Sequence, residues 1–283
     1  VFGFKEYQLS QKFKDEINSL KSSKPKNIEV NNFNIKITTL IISHIKNILK
    51  KYKLNKSDIS AIGYAGITLD HRPDLKKSLY LGDPEILATL LSIPVISDFR
   101  QTDIDAGGQG APLTGLFHKY LNTITNKNLI YLNLGGFANV SIPNKSKLIS
   151  YDTGPANYLI DAWCREKFDI EFDLNGRLAS MGEIDSEVLK LMLKDKYFIK
   201  KPPKSTGFEL FNLSWIRKYL KKNSFYRDIN ILSTLTYLTV ITVSNDINKY
   251  KDKPNSIFFY GGGAFNKLIV QGIIDLTKLK KVK

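Results

Sequence analysis

Leu148-Ile149-Ser150-Tyr151 reads as a short strand. The residues after it, Asp152-Thr153-Gly154-Pro155-Ala156-Asn157, read as a turn opening into a helix with apolar residues at 159, 160 and 163. Proline suits the first turn of a helix, where its missing N–H is not needed. This spacing predicts Asp152 at the carboxyl end of a strand, beside a helix N-terminus. Outward N–H groups and the positive end of the dipole favour anionic ligands there. The plainer alternative is that Asp152 or Thr153 only caps the helix.

Working outward, Leu129 to Leu134 is the strongest strand pattern in the chain. It runs through Gly135-Gly136 into a returning strand, Phe137 to Ser141, so that with the Asp152 strand it predicts a three-stranded meander. A tight turn of backbone amides can hold a phosphate; an ordinary hairpin is the alternative. Downstream, Ser256 to Tyr260 predicts a buried strand entering Gly261-Gly262-Gly263 and a helix. Glycines there would let a flat ligand or a phosphate lie on backbone, or would simply make a flexible turn. Leu232 to Ile247 is apolar on most faces of a helix and is expected to be buried. Pro202-Pro203-Lys204-Ser205-Thr206-Gly207 reads as a rigid loop.

In the first half, Ile35 to Tyr52 has amphipathic helical spacing and Ser57 to Ala65 reads as a buried strand, a succession that suggests an α/β sheet. Two Gly/Pro-rich turns close a hairpin-like pair, and Asp83-Pro84 starts a helix over 85–91. Ile93 to Ser97 predicts a strand delivering Asp98-Phe99-Arg100 at its carboxyl end, the edge where ligands bind in open α/β sheets. Arg100 offers a planar fork for a carboxylate or phosphate, or else a surface ion pair with Asp103 or Asp105. Ala106 to Leu113 is rich in glycine but lacks the Lys-Ser/Thr ending of a P-loop. His118 falls on a helix over 113–121 and reads as structural. Val1 to Phe4 suggests a strand end, and Ser22 to Asn27 a polar linker.

The 283 residues suffice for one large domain or two modest ones. Net charge is +15, carried mostly by scattered lysines, and the C-terminal lysines (278, 280, 281, 283) read as a solvated end. No basic stripe interleaved with aromatics stands out, so no nucleic-acid partner is expected. A single cysteine, Cys164, excludes an internal disulfide and a multi-cysteine zinc site. Three histidines without helix pairing argue against a structural metal. No apolar run approaches the roughly 18 residues of a membrane span and no signal peptide is evident, so the expectation is a soluble, cytoplasmic protein without a membrane partner.

Taken in order, several motifs resemble the anhydro-N-acetylmuramic acid kinase family. They are Gly82-Asp83-Pro84, Asp98-Phe99-Arg100, Ala106-Gly-Gly-Gln-Gly-Ala-Pro-Leu113, Asn133-Leu-Gly-Gly-Phe-Ala-Asn139, Asp152-Thr-Gly-Pro-Ala-Asn157, Pro202-Pro-Lys-Ser-Thr-Gly207 and Gly261-Gly-Gly-Ala-Phe-Asn266. The resemblance covers about residues 58–272. It implies an α/β fold of the two-domain actin-like ATPase (ribonuclease H-like) type, with mixed sheets flanked by helices and an interdomain cleft. Domain one would be 1–128 and domain two 129–283.

It further implies a cell-wall-recycling kinase that uses ATP and Mg²⁺ on an anhydrosugar, with metal ligands unknown and a possible homodimer. Asp152 would be the general base. Thr68, Asp98, Arg100, Gln109, Ala111, Pro112, Thr153, Gly154 and Asn157 would line the sugar pocket. Gly135, Gly136, Asn139, Gly261, Gly262 and Gly263 would hold the nucleotide. The family's N-terminal Gly-Thr-Ser-x-Asp-Gly hairpin and its C-terminal segment are not found, so the chain is expected to lack both ends. Where the family shows Gly-Ser-His-Gly-Gln-Thr, this chain has Gly63-Tyr64-Ala65-Gly66-Ile67-Thr68. Two alternatives follow: a degenerate relative that binds without turnover, and a glycerol- or hexose-type kinase on the same superfold.

Overall fold

The structure, a computed structural model, describes all residues except 1–2, 4, 23–26, 73–74, 145–146, 221–225 and 283. The expected strand end at Val1-Phe2 and Phe4, the middle of the polar linker and Lys283 lie outside the described residues. Two compact units divide the chain, residues 1–110 and 111–283.

In the first unit the elements are α1 (Gln11–Ser22), α2 (Asn27–Lys51), β1 (Ile62–Gly63), β2 (Ile67–Arg72), β3 (Lys77–Leu81), α3 (Pro84–Leu91), β4 (Val95–Ile96) and α4 (Phe99–Asp105). β1 pairs with β4 in parallel, and β2 with β3 as the predicted antiparallel hairpin. The strand expected over 57–65 shrinks to two residues, because Asp58 accepts the Asn55 N–H at 2.7 Å and holds Lys56–Asp58 in a 3₁₀ turn. α3 starts as predicted. Asp83 accepts the N–H groups of Glu85 and Ile86, both at 2.9 Å, and Pro84 follows at the first helical position.

The second unit adds α5 (Gly115–Ile124), β5 (Ile130–Leu134), β6 (Phe137–Asn144), β7 (Lys147–Pro155), α6 (Asn157–Phe168), α7 (Ser186–Met192), α8 (Lys196–Ile199), α9 (Leu213–Tyr219), α10 (Asp228–Asn248), β8 (Ser256–Tyr260), α11 (Lys267–Thr277) and β9 (Lys280–Val282). Its sheet runs β7-β6-β5-β8-β9. β6 is antiparallel to both neighbours, which is the predicted meander, whereas β8 joins β5, and β9 joins β8, in parallel. Parallel strands need long crossovers, and helices α6 to α11 supply them. The α/β class is thus borne out.

α10 is buried along most of its length, as its composition predicted. Two of its hydroxyls find partners within the helix: Thr234 and Thr236 donate to the carbonyls four residues back at 2.7 and 2.9 Å. Gly272 of α11 lets that helix close on α10, since an added Cβ would stand 2.8 Å from Val240.

One local expectation is corrected. Pro155 is the last residue of β7, paired with Phe137, and not the first of a helix. A residue with no N–H to give a ladder belongs at a strand end. Ala156 occupies the cap position of α6 without any side-chain cap, so neither Asp152 nor Thr153 caps this helix. The N–H groups of Ala156 and Tyr158 donate to the Gly136 carbonyl at 2.9 and 3.0 Å, and that of Asn157 to Gly135 at 3.1 Å. These donors, expected to face an anion, are consumed by the glycine turn.

Candidate active site

A polar row crosses the sheet of the second unit. Tyr260 of β8 pairs with Asn133 of β5, Asn133 with Asn139 of β6, and Asn139 with Asp152 of β7. Opposed residues on neighbouring strands share a face, so Asn133, Asn139 and Asp152 form one line. A bulge lies beside it. Ala138 pairs with Gly154 and Asn139 with Asp152, which leaves Thr153 as the extra residue. Bulges bend a strand and re-aim its side chains. Thr153 is completely buried, and its hydroxyl donates to the Ala138 carbonyl at 3.2 Å. Gly154, at φ +150°, backs onto Phe198, which a Cβ would meet at 2.8 Å. Both were expected in the sugar pocket; the contacts seen here are with β6 and with α8.

Asp152 is held on three sides. Its N–H donates to the Lys204 carbonyl at 3.1 Å, its carbonyl accepts from the Tyr197 hydroxyl at 2.8 Å, and its carboxylate Oδ2 accepts from the Thr206 N–H at 3.0 Å. Only 6% of the residue is exposed, where the sequence suggested an open strand end. The cause is the Lys204–Thr206 segment, which runs along the outer edge of β7.

The two glycine turns meet around Asn133. An added Cβ on Gly261, at φ +83°, would stand 2.5 Å from Asn133 Oδ1, and one on Gly263 would stand 2.8 Å from Leu134 and 2.9 Å from Asn157. These two glycines are required by protein packing. Gly262 differs: nothing lies within 4 Å of an added Cβ, and for Gly136 the sole neighbour is Tyr158 at 3.5 Å. Protein packing does not require glycine at those two positions. Asn157, expected near the sugar, donates to the Leu134 carbonyl at 3.0 Å and so belongs with this pair of turns. Asn139, expected near the nucleotide, stands opposite Asp152 instead.

The first unit gathers a second set. Arg100 Nη1 donates to the Gly110 carbonyl at 2.7 Å, and Asp103 Oδ2 accepts the Gly110 N–H at 2.7 Å, so the glycine-rich loop is clamped from both sides. Asp98 adopts φ +60°, a region that Asp tolerates better than most residues. Tyr80, the β3 partner of Thr68, hydrogen-bonds Asp98; burial first, then that carboxylate, raise its phenol above the usual value. His71 was missed by sequence reading. It lies against Gly110, hydrogen-bonds Ser78 at 3.2 Å, and its Nε2 is buried beside the Gln109 backbone. Burial, then the Arg100 charge, lower its imidazole below the ordinary value. Gln109 adjoins it, so Thr68, Asp98, Arg100 and Gln109 are brought into one neighbourhood. Ala111 and Pro112 are half-buried at the start of the second unit. Ile67, standing for the family's glutamine, packs against the apolar cluster of Leu69 and Leu81.

Among the described residues no group of three or more His, Cys, Asp and Glu could hold a metal ion. No helix is long and apolar enough to cross a membrane, again among those residues.

A meander continued by two parallel strands, with glycine turns after the first and fourth, defines an α/β unit with a mixed sheet flanked by helices. The particular family follows from comparison: the model of the anhydro-N-acetylmuramic acid kinase family matches residues 4–283, and the chain belongs to that family. The anhydro-N-acetylmuramic acid kinase of Sulfurovum sp. (strain NBC37-1) is 37% identical over 269 residues, covering 94% of this chain and 74% of that protein. That of Shewanella oneidensis is 40% identical over 236 residues, covering 82% of this chain and 64% of that protein. The chain therefore spans about two thirds to three quarters of these relatives' length. Among solved structures, the activator of the 2-hydroxyisocaproyl-CoA dehydratase from Clostridium difficile with bound ADPNP is similar at a TM-score of 0.42 and 12% identity, covering 84% of this chain and 72% of that one.

Proposed function

We propose that this protein is an ATP-dependent kinase that hydrolytically opens 1,6-anhydro-N-acetylmuramic acid and phosphorylates its 6-oxygen, giving N-acetylmuramic acid 6-phosphate in cell-wall recycling. The observation that carries this reading is the row Asn133, Asn139, Asp152, which ends on a clamped carboxylate and begins between two glycine turns, in a chain of this family.

Asp152 is the general base. It takes a proton from water as that water attacks the anomeric carbon; the C1–O6 bond breaks, and the freed 6-oxygen takes the γ-phosphoryl group. When bound, the nucleotide would supply that group, its bond to the bridging oxygen breaking so that ADP leaves. The backbone of Gly136 and Gly262 would approach its phosphates and adenosine, while Asn133 and Asn157 keep the two turns together. Phosphoryl transfer asks the protein mainly for positioning and charge neutralisation. Thr68, Asp98, Arg100 and Gln109, with Ala111 and Pro112, are the proposed sugar contacts. Mg²⁺ belongs to the reading as a companion of the nucleotide, and no step is assigned to it. The protein acts in the cytoplasm, and a homodimer is compatible with this chemistry.

Two observations favour a second reading, a relative that binds ligand without turnover: the 6% exposure of Asp152 and the loss of Ile67 to the apolar cluster. A coupled assay for ADP in the presence of the anhydrosugar separates the two. ADP release that depends on the sugar upholds the kinase. Sugar binding by calorimetry with no ADP formed upholds the second reading instead.

A further inference from the structure

The strongest unused feature of the molecule is a lysine sealed beneath the proposed base. Lys204 Nζ lies 3.0 Å from Asp246 Oδ2 of α10, with side-chain exposures of 2% and 4%. It stands 4.9 Å above the Tyr197 ring and 5.5 Å from that of Tyr151. Asp246 also pairs with Lys249 through its other oxygen. Desolvating two charges offsets most of what their attraction returns, and an apolar pair of similar volume often stabilises as well. Stability alone therefore gives little reason for an ion pair here.

What the pair does hold is the segment that grips Asp152. The Lys204 carbonyl takes the Asp152 N–H, Thr206 two residues on gives its N–H to the carboxylate, and Tyr197, beneath the ammonium, gives its hydroxyl to the Asp152 carbonyl. We propose that Lys204 is a positioning residue for Asp152: its ammonium, anchored on Asp246, fixes the 204–206 segment so that the Thr206 N–H stays on the carboxylate. The inference rests on the proposed role of Asp152 as base.

The charged and titratable groups facing Lys204 are Tyr151 and Asp152 of β7, Tyr197 of α8, and Asp246 and Lys249 of α10; Tyr250 and Glu209 adjoin the two tyrosines. Burial pulls the Lys204 ammonium below its ordinary value, against the opposing pull of Asp246. Burial raises both phenols, Tyr151 further through Asp246 and Tyr197 further through Asp152, so both stay protonated and Tyr197 remains the donor to the Asp152 carbonyl. A lost N–H bond and a lost positive charge both disfavour an ionised carboxylate. Loosening Lys204 should therefore make Asp152 harder to ionise.

The test is the double variant Lys204→Met/Asp246→Leu, which removes the pair without stranding either buried partner. It is expected to melt near the parent and to bind anhydrosugar and nucleotide within about threefold, while turnover falls at least about tenfold. The acidic limb of kcat against pH moves up by at least about half a unit. The Asp152 carboxyl, followed by ¹³C NMR in the unliganded protein, titrates higher by the same amount. Parental turnover with an unmoved limb and an unmoved titration overturns the proposal and leaves the pair a structural tether. Should the double variant fail to fold, Asp246→Asn keeps the shape, and the same titration decides: a raised value upholds the positioning and an unmoved one overturns it. Near-normal turnover in Asp152→Asn would remove the base, and with it the proposed mechanism. A shifted titration in the double variant would still uphold the positioning.

Discussion

The two units carry their candidate residues on very different foundations. In the first, two two-stranded sheets rest on two separate small clusters, one around Phe33, Ile37, Leu69 and Leu81, the other around Ile42, Leu87, Leu91 and Ile93. In the second, a five-stranded sheet lies on one continuous core running from Ile130 and Leu132 through Leu159 and Leu235 to Ile273. A carboxylate that must meet a reacting water within a fraction of an ångström needs the stiffer base. Groups that only hydrogen-bond a ligand tolerate a thinner one, and thin cores open locally at lower free energy. On the proposed function, the difference separates chemistry from recognition.

The largest effect expected to expose that separation is kinetic. Asp152→Asn should lower turnover by about 10²- to 10⁴-fold with nucleotide affinity nearly kept. Arg100→Lys, which loses the planar fork, should instead raise KM for the sugar by about tenfold and spare kcat. Steady-state kinetics of the two variants decide it; the reverse pattern would merge the roles.

Next comes packing. Leu132→Ala should cost about 2–5 kcal/mol in denaturant unfolding. Leu87→Ala should fall at the lower end of that range, because its small cluster can collapse around the gap. Hydrogen exchange resolved by unit reads both, and equal costs would deny the difference in foundation.

A third comparison lies within one turn. Gly263→Ala drives a Cβ to 2.8 Å from Leu134 and should destabilise by about 1–3 kcal/mol. Gly262→Ala meets nothing within 4 Å and should leave the melting temperature alone while weakening nucleotide binding. Unchanged binding in the latter would withdraw that turn from the nucleotide.

The smallest effect is a pH slope. Burial lowers the His118 imidazole from 6.5 to about 4, while its ring stacks on Tyr131 at 4.3 Å. The unfolded chain takes up the proton first, so this contribution is complete above pH 6.5 and is lost as pH falls toward 4. His118→Gln should flatten stability over that window, and an unaltered slope would refute the assignment.

Much of the sheet was legible because β5 and β8 are short apolar runs stopped by glycines, and α10 by its length of apolar and hydroxyl residues. The meander, the α3 start and the β2–β3 hairpin were legible for the same local reasons. What was hidden is long-range. The bulge at Thr153 shows only when β6 is laid beside β7. The clamp on Asp152 comes from residues 204–206, more than fifty positions away. Asn133 and His71 carry no local sign of their surroundings; for His71 the sign is a buried nitrogen next to Gly110. Pro155 misled because proline fits equally well at a helix start and a strand end.

The backbone bond from Asp152 to the Lys204 carbonyl reaches beyond the site. β7 is the outer strand of its sheet, and an outer strand offers unsatisfied amides to any other chain. Occupying one of them with a loop from the same molecule interrupts the template along which a neighbour would zip. The segment that grips Asp152 thus leaves that margin one donor fewer for a neighbouring strand.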